Sequence, residues 1–445
     1  MNKTIIINGR IVLPEGVLAD GCVEFADGKI TAVKEGPYNG QATGTIINAQ
    51  GNYVSPGFID IHRHADAALF REGFGNAELF QGLTTIVNGN CGLSIAPSGG
   101  AFQKEIFDYL IPVTGRPEEQ MRTESMGSYL QAVKEQKLAV NIGMLTGGGT
   151  MRAQAAGFGV QRLDDVHYRR IHAAIEQALA DGALGVSLGL GYAPECFYTT
   201  QELIAALAPL RDSGVPITVH MRQEGAGVVE ALKEMLTVAR ALRTPVHISH
   251  LKSIGKAYWG RYMPEMLALL TRAREDGLDV SCDLYPYTAG STQLIHVLPP
   301  EAQEGGLDTL TQKLRVPEFR AAMRERMRTG TDFENLSLLV GWENIDVSTV
   351  TREENRRFVG RSVAEISAAE GVDPFDFTFD LLASESCAVT MIDRITANED
   401  ICAALRAPFS SVISDATYPT SGLLHPRVYG NCAHLLEEYV RRQGV

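Results

Sequence analysis

The chain has 445 residues, of which 45% are hydrophobic and 21% are charged, a composition typical of a globular protein with a large core. Its formal net charge of −13 argues against a nucleic-acid or anionic-membrane partner, because such a partner requires a basic face. The seven cysteines are an odd number spread along the chain, which does not suggest a disulfide framework and predicts a cytoplasmic protein. The N-terminal apolar run is too short for a signal peptide, and no stretch reaches membrane-spanning length.

The N-terminal segment, residues 1–55, has the pattern of short strands joined by tight turns. Apolar and polar residues alternate in TIIINGRIVL and again in GCVEFADGKITAVKEG. The dipeptide Asp27-Gly28 interrupts the second of these runs and is a strong hairpin signal. The segment is therefore predicted to form a small β-domain.

The remaining residues, 56–445, alternate short apolar strands with amphipathic helical segments. The predicted strands are GFIDI, TTIVNGN, AVNIGML, ALGVSLGLG, PITVHM, PVHISH, DVSCDLY and SSVISD. Helical patterns such as DVHYRRIHAAIEQALADG and GVVEALKEMLTVARAL lie between them. Strands that are apolar on both faces indicate a parallel sheet covered by helices, and about eight of them predict a closed TIM-type (β/α)₈ barrel.

One long stretch, residues 291–405, interrupts this rhythm before the last predicted strand. It contains PPEAQEGGLD and the charged block FRAAMRERMR but no clear alternation of strands and helices. An insertion on the loop face of a barrel is commonly a lid or a specificity element, and a purely structural elaboration is the alternative.

Polar side chains stand at the ends of five of the predicted strands. These residues are His62, His64, Cys91, His220, His250 and Asp415. Each has an ordinary explanation by itself, since a free cysteine is usually a small buried hydrophobe and an aspartate can cap the next helix. Together they place four imidazoles, one thiol and one carboxylate on the rim where TIM-barrel active sites gather. The other histidines are not expected there: His167 and His172 lie in helix-like sequence, and His296, His425 and His434 follow no predicted strand.

This set of side chains has a coherent chemistry. Neutral imidazole nitrogen and thiolate sulfur are preferred zinc ligands, and a thiolate disfavours magnesium and calcium. A metal lowers the pKa of bound water from about 15.7 to near 7, and a nearby carboxylate can take the proton. The sequence therefore predicts a metal-dependent hydrolase of amides with a metal-bound hydroxide as the nucleophile; other metals remain open, and the thiolate favours zinc.

The motifs also carry a resemblance to a known family. The N-terminal strands followed by P-G-F-I-D-x-H-x-H resemble the amidohydrolase superfamily. The cysteine after the second strand, together with HMRQE, ISHLK, DLYPYTAGST and the late SD, resembles the N-acyl-D-amino-acid deacylase (D-aminoacylase) branch. Most hydrolytic amidohydrolases place a carboxylated lysine on the fourth strand, whereas ALGVSLGLGYAP contains no lysine and leaves Cys91 to supply the bridging anion. The resemblance implies hydrolysis of N-acyl-D-amino acids to a carboxylate and a free D-amino acid.

The resemblance further implies a role for each candidate residue. A tightly bound zinc is implied at Cys91, His220 and His250. A second, weaker metal position is implied at His62 and His64, sharing Cys91 and with Asp415 nearby. Asp415 would activate the water and then protonate the leaving amine.

The α-carboxylate of the substrate is implied to bind Lys252, Tyr192 and Tyr285. From Tyr285 to Gln312 there is no Lys or Arg that could pair with a second carboxylate, so we expect a neutral or apolar substrate side chain. An acidic side chain would need a cation from elsewhere, and Arg394 in the insertion is the candidate.

Two alternatives remain open on the sequence. The first is another amidohydrolase reaction, either cyclic-amide hydrolysis or deamination; a deaminase would need a proton-shuttling glutamate where Gln223 stands, with Glu224 following. The second is an inactive metal-binding relative. Chains of this family usually continue well past the last barrel strand, whereas this chain stops at Val445, thirty residues beyond Asp415. The small domain is therefore expected to be incomplete, with an unpaired strand edge that favours homo-oligomers.

Overall fold

A computed structural model of the protein describes residues 3–40, 44–159 and 162–445. Its strands are β1 Lys3–Leu13, β2 Gly16–Ala26, β3 Lys29–Glu35, β4 Thr45–Asn48, β5 Tyr53–Val54, β6 Phe58–Asp60, β7 Leu83–Asn88, β8 Asn141–Met144, β9 Thr146–Gly147, β10 Val186–Gly189, β11 Ile217–His220, β12 Val246–Ile248, β13 Val280–Leu284, β14 Ala289–Gln293, β15 Ile345–Thr349, β16 Thr390–Arg394 and β17 Ser410–Val412.

The α-helices cover and connect these strands. They are α1 Asn76–Phe80, α2 Gln103–Thr114, α3 Met126–Glu135, α4 Gly148–Ala156, α5 Asp165–Ala180, α6 Thr200–Ala206, α7 Val228–Leu242, α8 Tyr262–Glu275, α9 Gly306–Lys313, α10 Pro317–Thr329, α11 Leu336–Leu339, α12 Val363–Glu370, α13 Pro374–Ser384, α14 Asn398–Leu405 and α15 Arg427–His434. Over the described residues, no helix combines the length and the apolar character needed to cross a membrane.

The first compact unit of the chain, Met1–Phe58, is built on one five-stranded sheet. β1 pairs with β2 in antiparallel and with β4 and β5 in parallel orientation, and β3 adds to the free edge of β2. The turn between β2 and β3 is the predicted hairpin, since Asp27 and Gly28 both have positive φ, at 51° and 76°. Residues 1–2 and 41–43 of the predicted 1–55 β-domain lie outside the described residues.

The second compact unit, Ile59–Val445, contains the barrel. The strands run in the order β6-β7-β8 and β9-β10-β11-β12-β13-β17, and only Leu145 separates β8 from β9. The ends meet after β6 and β17, where the amide of Asp415 donates to the carbonyl of His62 at 2.9 Å and Arg63 bridges Ala416 in parallel. Taking β8 and β9 as one strand, eight strands close the circle, and the predicted TIM-type (β/α)₈ barrel is confirmed.

The helices on the outside of the barrel bury one face each. In α7, the positions Leu232, Met235, Leu236 and Leu242 follow helical spacing and are all buried. Each such side chain contributes roughly 1.5–3 kcal/mol when it leaves water. The helix ends at Arg243, whose φ of 51° is the left-handed conformation that stops a helix. The packing of α7 helps to hold β11, the strand before it, and therefore also His220 at the carboxyl end of β11.

The insertion before the last barrel strand is more regular than its sequence predicted. β14, β15 and β16 form an antiparallel sheet in the order β14-β16-β15, and α9 to α13 lie between β14 and β16 along the chain. β14 and β16 are about a hundred residues apart, so their pairing leaves no local periodicity that a sequence pattern could reveal. The sheet gives this segment a framework that can present side chains to the barrel.

Candidate active site

The structure brings all six predicted metal-ligand residues together at one end of the barrel. Each follows or ends a strand: His62 and His64 come after β6, Cys91 after β7, His220 at the end of β11, His250 after β12 and Asp415 after β17. Because the strands are parallel, their carboxyl ends lie at the same rim. Three overlapping groups of three ligand atoms, each group within 4.8 Å, are His62–His64–Cys91, Cys91–His220–His250 and His62–His250–Asp415.

The thiol of Cys91 lies at the centre of these groups. Its Sγ is 3.2 Å from Nε2 of His62 and 3.5 Å from Nε2 of His250, and Nδ1 of His220 is 3.0 Å from the same His250 nitrogen. Ligand atoms on one tetrahedral zinc stand roughly 3.3–3.6 Å apart, given bonds of about 2.0–2.3 Å. The donor types and their spacing therefore fit a zinc ion, with Cys91 able to serve two adjacent metal positions.

The electrostatics favour the thiolate form of Cys91. Burial would raise the pKa of its thiol, but the charges of His62 and His250 outweigh burial and hold that pKa well below its usual value. The pKa of His62 is raised well above its usual value: burial lowers it, and Cys91 and Asp283 more than compensate. A thiolate among imidazoles is the protonation state that metal ligands require.

Asp415 lies beside both histidines of the first strand. Its Oδ1 is 3.2 Å from Nε2 of His64 and 3.4 Å from Nε2 of His62, while its Oδ2 is 3.0 Å from Nη1 of Arg427. Burial would raise the pKa of Asp415, but Arg427 and then His62 lower it well below its usual range. The carboxylate is thus ionised and positioned to accept a proton from a group in the site.

Three of the predicted ligand residues have a strained backbone. Cys91, His250 and Asp415 have φ values of 54°, 37° and 51°, in the left-handed region that non-glycine residues rarely occupy. In the loop of Cys91, Ser187 Oγ accepts from the amide of Gly92 at 3.0 Å, which helps to hold this conformation. Such strain concentrates at functional sites, where surrounding contacts overdetermine the backbone.

Asp283 contacts two of the candidate ligand residues, His62 and His250, and the sequence analysis did not assign it this role. Its carboxylate accepts from the backbone amide of His250 and lies 2.9 Å from Nε2 of His247 and 3.4 Å from Nδ1 of His62. The opposite nitrogen of His62 is the one that faces Cys91. A carboxylate on the far side of an imidazole fixes the ring orientation and its tautomer. DLYPYT, which contains Asp283, gave the only sequence signal for it.

Lys252 is in the site, but its ammonium group is already paired. Nζ lies 2.8 Å from both carboxylate oxygens of Glu224 and 2.7 Å from Nδ1 of His250. Arg427 is a second buried cation, and its guanidinium lies over the ring of Tyr285 at 4.6 Å. No motif of the sequence pointed to Arg427, which is the first residue of α15 and lies beyond the last barrel strand.

The two predicted tyrosines line the same pocket. Tyr192 stacks on His220 with ring centroids 4.3 Å apart and contacts the ring of His296 at 4.3 Å. Tyr285 is 5% exposed, and its ring lies 5.8 Å from Nζ of Lys252. The structure therefore brings Lys252, Tyr192 and Tyr285 together around one opening, as the resemblance implied.

His296 was wrongly set apart from the site on the sequence. It lines the pocket from the short 3-10 helix Leu294–Val297, which follows β14. Burial, with the nearby charge of His220, lowers the pKa of His296 to about 3, so the ring is neutral. Two carboxylates of the insertion, Glu334 and Asp393, also line the pocket and were missed.

The guanidinium group of Arg394 is paired with another residue and does not line the pocket. Its guanidinium forms two hydrogen bonds to Asp346 on β15, at 2.7 and 3.1 Å, and its side chain is 47% exposed. The sequence-based candidate for binding a second substrate carboxylate is therefore already engaged at the surface of the insertion.

Comparison with known proteins finds similarity over most of the chain. A model of the Amidohydrolase family matches residues 45–323. The D-aminoacylase of Alcaligenes xylosoxydans xylosoxydans is 38% identical over 259 residues, which are 58% of this chain and 52% of that protein. The N-acyl-D-aspartate deacylase of the same organism is 29% identical over 399 residues, covering 89% of this chain and 69% of that protein. The match thus spans about half the length of the first relative.

Two solved structures resemble the chain over nearly its whole length. A D-aminoacylase structure has a TM-score of 0.77 at 27% identity and covers 99% of this chain and 81% of its own. The N-acyl-D-glutamate deacylase from Bordetella bronchiseptica, solved with zinc and a phosphonate inhibitor that mimics the tetrahedral intermediate, has a TM-score of 0.78 at 25% identity, with the same coverage.

Proposed function

Because the chain belongs to the amidohydrolase family, we propose that it hydrolyses the amide bond of N-acyl-D-amino acids to a carboxylate and a free D-amino acid. The observation that carries this proposal is the thiol of Cys91, which contacts imidazoles of two ligand groups beside an ionised carboxylate, Asp415. The names of the relatives support the linear N-acyl-D-amino acid as the substrate class.

In this proposal, zinc is the metal and the residues above are its ligands. The tight position is formed by Cys91, His220 and His250. The weaker position is formed by His62 and His64, which share Cys91 and have Asp415 nearby. When bound, zinc supplies Lewis acidity that polarises a carbonyl and lowers the pKa of water to near 7.

Asp415 performs the proton transfers. Its Oδ1 takes a proton from the attacking water, and the same oxygen later gives that proton to the nitrogen of the leaving amine. Arg427 holds the other oxygen, Oδ2, at 3.0 Å, so that Oδ1 is the oxygen directed toward His62 and His64. The geometry thus separates an anchored oxygen from a reacting one.

The α-carboxylate of the substrate is bound by the cations and tyrosines of the pocket. Lys252 remains the predicted partner, with its ammonium shared with Glu224. Arg427 adds a second buried positive charge, and Tyr192 and Tyr285 supply hydroxyl donors. A cationic cluster that holds the carboxylate fixes the scissile amide relative to Asp415.

Deamination fits the site less well. The glutamate that follows Gln223 does reach the pocket, but Glu224 is bound by Lys252 and also lies 2.9 Å from Nδ1 of His250. A proton shuttle needs a carboxylate that is free to take and give a proton, whereas both oxygens of Glu224 accept from Lys252.

A screen of N-acetyl amino acids tests the proposal. With zinc supplied, we expect kcat/KM for N-acetyl-D-methionine to exceed that for the L form by at least about 100-fold. Only one enantiomer can place its carboxylate at the cations and its amide at Asp415 at the same time. A decarboxylated analogue should lose roughly 10- to 100-fold, since charge-assisted hydrogen bonds contribute about 1.5–3 kcal/mol. A preference for the L form would contradict the substrate class, and full turnover of the decarboxylated analogue would remove Lys252 and Arg427 from substrate binding.

Cellular location and assembly stay predictions. All seven cysteines are unpaired, which supports the reducing environment of the cytoplasm. The homo-oligomer expected from an unpaired strand edge is measured by analytical ultracentrifugation of the purified protein, and the location by cell fractionation.

A further inference from the structure

The insertion brings two carboxylates into the pocket that the proposed reaction does not use. Asp393 lies on β16 and is 3% exposed, and Glu334 immediately precedes the buried Asn335, which caps α11. Both side chains line the pocket together with Lys252 and Asp415. The insertion carries both of them, and neither belongs to the three candidate ligand groups.

The carboxylate of Glu334 is only half satisfied. Its Oε2 accepts from the backbone amides of Glu224 at 2.5 Å and Gly225 at 3.3 Å. Its Oε1 is buried and has no hydrogen-bond partner among the residues that the structure describes. An unsatisfied buried acceptor is costly, and in a pocket it is available to a donor on a ligand.

The nearby cations are engaged elsewhere. Lys252 is paired with Glu224, and Arg427 with Asp415. Within the described parts of the chain, no lysine or arginine forms an ion pair with Glu334 or Asp393 at 4.0 Å or less. Two carboxylates in the pocket therefore lack a counter-charge.

The pKa values of Glu334 and Asp393 are raised, as expected for buried carboxylates without a counter-charge. Burial, and then the negative charge of Glu224, raise the pKa of Glu334 to about 7. Burial raises the pKa of Asp393 to about 6, against the opposing charges of Lys252 and Arg427. A positively charged ligand group would stabilise both carboxylates in their ionised form.

We propose that Glu334 and Asp393 form a subsite for a positively charged substrate side chain. The preferred substrates are then N-acyl-D-amino acids that end in an ammonium or guanidinium group, such as the derivatives of D-lysine and D-arginine. This inference rests on the proposed function for the identity of the substrate backbone. It departs from the sequence-based expectation of a neutral or apolar side chain, and agrees with it only in disfavouring an acidic one, which the same carboxylates repel.

Binding measured without turnover tests the subsite directly. The Asp415→Asn variant is titrated calorimetrically with N-acetyl-D-lysine, N-acetyl-D-norleucine and N-acetyl-D-glutamate, with the zinc content held equal. We expect N-acetyl-D-lysine to bind about tenfold or more tightly than norleucine, as a charge-assisted hydrogen bond requires, and N-acetyl-D-glutamate to bind more weakly than either. Adding Glu334→Gln or Asp393→Asn should remove most of the lysine advantage, measured as the ratio of the lysine to the norleucine affinity of each variant.

The matched control is Glu343→Gln in the same insertion. Glu343 is exposed and pairs with Lys256 at 2.8 Å, so its removal should not alter the lysine-to-norleucine ratio. Equal or tighter binding of norleucine, or a ratio that Glu334→Gln and Asp393→Asn leave intact, overturns the subsite. Hydrolysis by the unsubstituted chain separates the two proposals. Turnover of neutral substrates with no preference for the lysine derivative refutes the subsite alone. A preference for the lysine derivative in binding, without hydrolysis of any N-acyl amino acid, refutes the proposed function alone.

Discussion

Replacing Asp415 by asparagine is expected to lower kcat by about 10²–10⁴-fold while the fold and the bound zinc remain. The amide of asparagine has nearly the shape of the carboxylate but cannot accept the proton of the attacking water. Oδ1 of Asp415 faces His62 and His64, and no other ionised carboxylate is within 3.5 Å of either Nε2 among the described residues. The loss should therefore appear in kcat, with a smaller change in KM.

The measurement compares steady-state kinetics, zinc content and thermal unfolding of the variant with those of the unsubstituted chain. Asp380→Asn is the matched control, because Asp380 is exposed and pairs with Arg320 at the surface of the insertion. Its kinetics should be unchanged. Near-normal turnover by Asp415→Asn with zinc bound would show that another group moves the proton.

The barrel could be predicted because its signal is local. Each strand is a short run that is apolar on both faces, and helices such as α7 follow with regular helical spacing. Side chains at strand ends then share a rim by the geometry of a parallel sheet, which is why His62, Cys91 and Asp415 could be grouped although they are far apart in the chain. The resemblance to the amidohydrolase superfamily is confirmed by the family match.

The insertion could not be predicted for the opposite reason. β14 and β16 pair across about a hundred residues, and neither strand alone has a distinctive pattern. Glu334 and Asp393 reach the pocket only through this pairing and through the packing of α11, so their sequence neighbourhoods resemble those of ordinary surface carboxylates. Arg427 likewise reaches Asp415 from the first residue of α15, a helix that follows the last barrel strand.

The two parts of the chain also divide the chemistry between them. The barrel supplies the proposed metal ligands and the proposed base, and Cys91 among them has a left-handed φ of 54°. The insertion supplies Glu334 and Asp393, which line the pocket but belong to none of the three candidate ligand groups. Changes in the insertion can therefore alter substrate preference without moving the ligand set, whereas a change at Cys91 acts on the metal itself.

Cys91→Ala is expected to abolish both zinc binding and turnover. In the proposed site, Cys91 is the one ligand shared between the two metal positions, with Sγ at 3.2 Å from His62 and 3.5 Å from His250. Alanine leaves the four imidazoles of the two groups that contain Cys91 without their shared anion, and zinc strongly prefers a set that includes the thiolate. Zinc content should fall from close to one equivalent to a small fraction, and kcat/KM with it.

Elemental analysis and kinetics on the same preparation measure both losses together. Cys402→Ala is the control, because that thiol lies on α14 at the surface and contacts Gln443 rather than any imidazole. Cys402→Ala should keep both zinc and turnover, so that only Cys91→Ala loses the two together. Retention of both zinc and activity by Cys91→Ala would contradict the ligand assignment, because no other thiolate among the described residues reaches His62 or His250.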